Sequence, residues 1–408
     1  MSRIDDLIAE YCPGGVPWRS MGDIGKLARG HSMPKTDFRE TGIGAIHYGQ
    51  IYTHYGNWTT HTLSFVAVET AAKLTKVDPG DVIITNTSEN LADVGKAVAW
   101  LGDHQIVTGG HASVFKHEMD AKFVAYWLQT PDFHAQKKKL ASGTKVIDVS
   151  ATKLANVLMP VPPMAVQREI VAILDAFQEM EAELEAELEA RRDQFYWYRD
   201  EFLSSDTRFV DSWTTFGEVG EFMRGRRFTK ADIVETGIPS IHYGEIYTRY
   251  GVSASDAFTQ VRPELGPHLR FATAGDVVIA GVGETVQDVG KAMAWLGGHQ
   301  VAVHDDCFIF RSSMNPKFVA YYMQTKRFND AKQSIVSRAK VKRLSSDGLS
   351  RMPIPVPPRS EQDRIVDRLD TFHELVSDIS TGLPAELAAR RKQYEHYRDR
   401  LLTFPEAS

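Results

Sequence analysis

Histidine and tyrosine are able to donate, accept and stack near neutral pH, and this chain groups them twice. Residues 46–56 read IHYGQIYTHYG and residues 241–251 read IHYGEIYTRYG, with nine of eleven letters identical. Such a phrase is a candidate for acid–base chemistry or for reading a ligand through hydrogen bonds. Other stretches invite the same question. GETVQDVGKA, from Gly283 to Ala292, resembles a phosphate loop, whose backbone N–H groups cradle phosphates. Six residues rather than four separate its glycines, and Ala292 stands where the loop needs a hydroxyl, so a turn between strands is the better reading. His104, His111 and His117 suggest a metal, but their spacing matches no ligand pattern, and Asp306 replaces His111 in the second copy. No GxSxG elbow, HExxH, CxxC or paired-acid arrangement is present. The Pro-Pro pairs follow Val161 and Val356 rather than the Asn or Asp that base methylation requires. The chain therefore reads as a binder rather than an enzyme, with no metal and no cofactor.

The elements that must position these residues are themselves duplicated. At an offset of 195 residues, VPWRSMGDIG (16–25) faces DSWTTFGEVG (211–220), and DVGKAVAWLGDHQ (93–105) faces DVGKAMAWLGGHQ (288–300) with eleven of thirteen identical. KFVAYWLQT (122–130) faces KFVAYYMQT (317–325), and MPVPPMAVQREIVAILD (159–175) faces IPVPPRSEQDRIVDRLD (354–370). Only ARRDQFYWYRDEFL (190–203) and ARRKQYEHYRDRLL (389–402) are 199 apart. A solenoid needs several shorter units, so this is duplication of a whole domain plus a helix. The expected order is a first globular domain over 1–160, a helix over 161–204, a second domain over 205–355 and a second helix over 356–404.

The globular units read as mixed α/β (α+β). Short runs such as AIHYGQIYT, DVIIT and KAVAWLG are bounded by Gly, Asp and Asn turns, as strands are. DAKFVAYWLQTPDFHAQKKKL reads as one helix or two short ones, and VIDVSATKLANVLMPVPP as strand–turn–strand. After each proline pair, apolar residues recur at coiled-coil-like steps: Ile170, Leu174, Phe177, Leu184 and Leu188, then Ile365, Leu369, Phe372, Val376 and Ile379. Helices of about 40 residues need a partner along their length, and the simplest partner is the other copy; packing on their own domains is the alternative. Ser360 with Asp363 resembles a capping box, and the extra residues around STGLPAE (380–386), with Gly382 and Pro384, should kink or interrupt the second helix.

Composition sets the outer bounds. A chain of 408 residues, 43% hydrophobic and 25% charged, allows two or three globular domains. No apolar run is long enough to span a bilayer, so no membrane partner is expected. The opening MSRIDDLIAEYCPGG lacks the pattern of a secretory signal. Cys12 and Cys307 are the two cysteines, too few for a disulfide framework or a Cys-based zinc site, which fits a reducing cytoplasm. The net charge of −6 hides an uneven distribution: residues 164–203 alone hold four Arg against eleven Asp or Glu, leaving the rest slightly basic. Bulk charge therefore does not exclude nucleic acid.

The order of these features, twice over, resembles the specificity subunit of Type I restriction–modification systems. The carrying strings are W-x-x-x-G-x-I/V-G, then RG, then a strand ending I-H-Y-G-x-I, GDV[IV]I at 80–84 and 275–279, and the proline exits into helices ending ARR(D/K)Q and Y-R-D. The resemblance implies two target recognition domains with a pseudo-twofold internal repeat, each reading half of a bipartite double-stranded DNA site. It implies two long antiparallel helices acting as a ruler. Its further implications are two modification (methyltransferase) subunits and two restriction–translocation subunits, which hold the catalysis and cofactors. The two recognition domains are unusually alike for that family, so the half-sites should be related.

Within that resemblance, candidate phosphate contacts are Lys137, Lys138, Lys139 and Lys145, with Lys332, Arg338, Lys340, Lys342 and Arg343 in the second copy. A solvated helix face is the alternative for the triple Lys. Ile46, Tyr48 and Tyr52 are expected to point inward, leaving His47, Gln50, Thr53 and His54 as base readers, matched by His242, Glu245, Thr248 and Arg249. Gln50 suits adenine, Glu245 the cytosine amino group and Arg249 guanine. A second reading surface is the loop with Thr87, Ser88 and Asn90, facing Glu284 and its neighbours; a neutral turn is the alternative. A duplicated protein-interaction scaffold and an enzyme with an unfamiliar site remain the competing functions.

Overall fold

The computed structural model describes residues 3–204, 212–337, 339–377 and 382–404. The chain divides into two units. Unit 1 comprises Met1–Glu183 with Leu387–Ser408, and unit 2 comprises Leu184–Glu386. Each globular part is a mixed α/β body, and the two share one topology.

In unit 1 a five-stranded sheet runs in the order Gly25–Arg29, Ala112–His117, Val82–Thr85, Ala97–Trp100, Trp58–Thr59. A second five-stranded sheet runs Phe38–Arg39, Ser64–Val66, Ile43–Ile46, Ile106–Thr108, Thr75–Val77. Unit 2 repeats both orders. The first sheet is a middle layer, which explains why its central strand reads VIIT without alternation: all four residues are buried. Val82 and Ile84 join Phe123, Trp127 and Phe133 on the helical side, while Ile83 joins Val98, Trp100 and Ile46 on the other. Each such aliphatic side chain, fully buried, contributes about 1.5–3 kcal/mol.

DAKFVAYWLQTPDFHAQKKKL forms two helices, Ala121–Trp127 and Pro131–Leu140. Asp120 caps the first and Thr130 the second, with a proline at the second helix's first position. The expected strand–turn–strand over 146–163 has a helical turn, Ala151–Leu154, between its two strands because Ser150 caps it.

Met164–Ser204 is a single helix of 41 residues. The second segment is two helices, Arg359–Ser377 and Leu383–Leu401, with Gly382 a bend before the second and Pro384 in its first turn. The expected second helix of about 40 residues is thus interrupted, as the expectation for Gly382 and Pro384 had it. Residues 378–381, including Ile379 and the start of the insertion, Ser380 and Thr381, lie outside the described residues. Ile170, Leu174, Leu188, Ile365, Leu369 and Val376 are buried, and Phe177, Leu184 and Phe372 half-buried, so the described seam residues line packed faces. Within unit 1, Phe177 stacks on Tyr397 at 5.3 Å and Glu181 pairs with Arg391 at 2.6 Å, an antiparallel match. Within unit 2, Tyr198 meets Phe372 at 5.3 Å and Phe195 meets His373 at 5.6 Å.

Each long helix is bolted to its own globular body. Gln167 accepts from the Asp120 N–H at 2.8 Å and donates to the Pro162 carbonyl at 2.7 Å; Gln362 does the same with Asn315 and Pro357, both at 2.8 Å. About two turns later Asp175 takes Lys122 and the Tyr126 hydroxyl, both at 2.7 Å, and Asp370 takes Lys317 and Tyr321. The Ser360–Asp363 capping box is not formed, because Ser360 is already inside the helix and Asp363 instead accepts from Asn315 and Arg359.

Candidate nucleic-acid interface

The opening phrase is not strand throughout. Ile43–Ile46 is a strand, but Tyr48–Thr53 is a short helix with His47 as its cap. The His47 Nδ1 accepts from the Gly49 N–H at 3.1 Å, and the Gln50 side chain reaches back to the His47 N–H at 3.0 Å. The second copy is built alike over Tyr243–Thr248, with His242 Nδ1 accepting from Gly244 at 3.2 Å and Glu245 accepting from His242 at 2.8 Å. Burial is the main cause that lowers the pKa of both histidines, which keeps Nδ1 free to accept.

His47, Gln50, His242 and Glu245, expected as base readers, are thus engaged in these caps. His47 is buried, and Gln50 spends its other end on Ser64 at 2.7 Å, while Glu245 accepts from Thr259. Capping satisfies backbone donors that would otherwise be orphaned, so these side chains are committed locally. Tyr48 and Tyr52 are half-buried, and the Tyr52 hydroxyl donates to the Thr87 carbonyl at 2.6 Å. Thr53, His54, Thr248 and Arg249, at the far end of the helix, are exposed. The Thr53 and Thr248 hydroxyls back-bond to the carbonyls of Gly49 and Gly244. Arg249 lies over the Phe258 ring at 5.5 Å.

The second surface is also more ordered than a loop. Thr87–Ser88 pairs antiparallel with Ile147–Asp148, and Val282–Gly283 pairs with Lys342–Arg343. Thr87 Oγ1 lies 2.9 Å from His111 Nδ1, and Asn90 is tied to Asp93. Asn90 and Glu284 are exposed.

Among the basic candidates, Lys137 and Lys332 are corrected. They are 2% and 1% exposed, and each ammonium donates to two backbone carbonyls: Ala92 and Val94 for Lys137, Gln287 and Val289 for Lys332. Burial pushes both down to about 8, so both remain charged at neutral pH and serve as internal staples. Lys138, Lys139, Lys145, Lys340 and Arg343 are exposed; Lys342 is half-buried with its ammonium on the Ala339 carbonyl at 3.0 Å. Arg338 lies outside the described residues.

A cleft opens beside each cap. In unit 1 it encloses about 610 Å³ between Arg29–Pro34, His47, Tyr48, Gly110 and His111. In unit 2 the corresponding cleft, about 510 Å³, lies between Arg227–Lys230, His242, Glu245 and His304–Asp306. The backbone beside each cleft requires glycine: a Cβ on Gly30 would sit 1.8 Å from the Gly109 carbonyl oxygen, and one on Gly225 2.1 Å from that of His304. Sequence reasoning missed these walls. The signal was available in the divergence of RGHSMPK (29–35) from RGRRFTK (224–230) after a shared Arg-Gly. His304, Asp305 and Asp306 bring one atom each within 4.8 Å of one another. Both nitrogens of His304 are already committed, Nε2 to the Phe228 carbonyl at 2.9 Å and Nδ1 to the Asp306 N–H at 3.1 Å, so this group carries no metal reading.

Comparison with known proteins places this geometry. The family model for the type I restriction modification DNA specificity domain matches residues 14–191 and again 212–389. The chain is similar to a type I restriction enzyme specificity subunit of Haemophilus influenzae, 27% identical over 402 residues, spanning 95% of this chain and 96% of the relative. It is 32% identical over 299 residues to the EcoR124I/EcoR124II specificity subunit of Escherichia coli, spanning 70% of this chain and 71% of that one. A chain solved in a study of complex assembly and conformational transition of the type I R-M system matches with a TM-score of 0.67 at 18% identity, covering 95% of this chain and 97% of its own. The HsdS subunit from Thermoanaerobacter tengcongensis matches with a TM-score of 0.51 at 16% identity, covering 96% of each chain. These structural matches show the fold.

Proposed function

We propose a division of labour for this chain, which belongs to the type I restriction modification DNA specificity family. It is the DNA-specificity subunit: each unit reads one half of a bipartite double-stranded site. Two modification subunits and two restriction–translocase subunits assemble on it in the cytoplasm and carry the chemistry, while this chain catalyses nothing. Among the described residues no helix is long and apolar enough to cross a membrane.

The observation that carries this reading is the placement of variation. The two units share their caps, staples and helix bolts, yet they differ in the exposed side chains beside the caps: His54 against Arg249, and the cleft walls. A recognition pair needs an invariant frame with altered contacts. Exposed Lys138, Lys139, Lys145, Lys340 and Arg343 supply phosphate contacts that set register, and Thr53, His54, Thr248 and Arg249 face bases. Asn90 and Glu284 flank them. Because the frames are alike, the half-sites are related, and the helical segments set the spacer between them.

Methylation mapping in cells carrying this chain and its modification partner tests the reading. The expected result is one bipartite motif with a fixed spacer. Binding by the assembled complex should weaken linearly in log–log form as salt rises. Absence of a motif, with salt-independent binding, would instead identify a protein scaffold.

A further inference from the structure

The two clefts are the same place built with opposite chemistry. Asn86 N–H donates to the His111 carbonyl at 2.7 Å, and Gly281 N–H donates to the Asp306 carbonyl at 2.8 Å, so the backbones of 111 and 306 are anchored alike. Their side chains differ in kind. His111 is exposed in its cleft, with Nδ1 2.9 Å from Thr87 Oγ1 and its ring 5.0 Å from Tyr48. Asp306 is half-buried in the other cleft, with Oδ1 3.4 Å from Arg343 and Oδ2 3.8 Å from His304.

His111 is also the one non-glycine among the described residues with a positive φ, 69°. A left-handed backbone at a residue with a Cβ costs roughly 1–2 kcal/mol, which glycine would avoid. Two glycines, Gly109 and Gly110, immediately precede it, so glycine is at hand in this turn and His stands at the strained position. Strain of this kind persists where the side chain has work to do.

We propose that His111 and Asp306 are specificity-determining residues, reading opposite edges of the base pair that each cleft faces. With the Thr87 hydroxyl donating to Nδ1, the imidazole proton sits on Nε2, and His111 offers a donor to an acceptor edge such as guanine O6 or N7. The Asp306 carboxylate accepts from an exocyclic amino group, of cytosine N4 or adenine N6. Otherwise related half-sites therefore differ at this position. The inference rests on the DNA-specificity reading above.

The test uses the full chain assembled with its modification subunits, with methylation motifs mapped for wild type, His111→Gly and Asp306→Asn. Glycine accepts a φ of 69° without strain, so His111→Gly removes the imidazole while easing the backbone. The expected result is about a tenfold or greater loss of discrimination at one base pair of one half-site, with the other half-site intact. Asp306→Asn should do the same in the other half-site. Unchanged motifs in both variants overturn the proposal, as does a uniform fall in methylation with both motifs preserved, which marks a structural role. A wild-type complex with no bipartite motif defeats the DNA-specificity reading itself, a separate outcome.

Discussion

The interior of each unit and the cleft beside its cap follow different rules. Inside, the copies keep the same polar fastenings: Lys137 and Lys332 staple corresponding carbonyls, Asp175 and Asp370 bolt corresponding Lys–Tyr pairs, and Trp100 and Trp295 donate to corresponding histidine carbonyls. At the cleft, His31-Ser32 becomes Arg226-Arg227, and Gly109-Gly110-His111 becomes His304-Asp305-Asp306. Identity between the halves thus marks structural obligation, and difference marks what the halves do separately.

The strongest test of that rule is to remove a staple. Lys137→Ala and Lys332→Ala should each destabilise their own unit by about 3 kcal/mol, from orphaned carbonyls plus a cavity. Hydrogen exchange resolved by unit would show equal losses; a large loss in one unit alone would break the comparison.

Among the interior positions that differ, His117 against Ser312 separates the units by pH. His117 Nδ1 accepts from the Met119 N–H at 3.1 Å, a role that Ser312 fills for Met314, and its Nε2 is buried without a partner. Burial pushes His117 down from 6.5 to about 4. Between those values the unfolded chain binds a proton the folded chain refuses, so stability falls as pH drops. The loss below pH 4 is about 3 kcal/mol, in unit 1 only. His117→Ser should narrow the difference between the two units on an acid denaturation series, with the lowered His134 of unit 1 and His373 of unit 2 remaining. The lowered His47 and His242 act in both units and do not separate them.

A smaller effect is expected at the bolts. Asp175→Asn and Asp370→Asn weaken a partly exposed ion pair and leave the tyrosine bond, costing about 1–2 kcal/mol each by thermal melting. The smallest concerns the caps. Exchanging Gln50→Glu or Glu245→Gln should change stability by less than about 0.5 kcal/mol and leave the methylation motif unchanged, because both side chains accept from the same N–H. A shifted motif would restore these residues as base readers.

Much of the frame was legible because it is written in periodic signals. The offset repeat gave the duplication, and the DVIIT strand, the two-helix option for DAKFVAYWLQTPDFHAQKKKL and the Gly382–Pro384 break act locally. The reading surface was not legible for the same reason in reverse. His47 and Gln50 carry base-reading chemistry, and only their hydrogen bonds to Gly49, Ser64 and the backbone reveal that it is spent on a cap. Lys137 belongs to a run of three lysines, and a helix of ten residues buries one of them while exposing the next two. His111 was passed over with the scattered histidines, since nothing in a string of letters records a φ of 69°.

The lysine staple also makes each unit its own clock. An amine held on two carbonyls is closed to acylating reagents until the turn carrying Ala92 and Val94 lifts away, whereas Lys138 and Lys139 beside it are open at all times. Pulse labelling of Lys137 against its two neighbours would therefore count openings of unit 1, and Lys332 would keep the same count for unit 2.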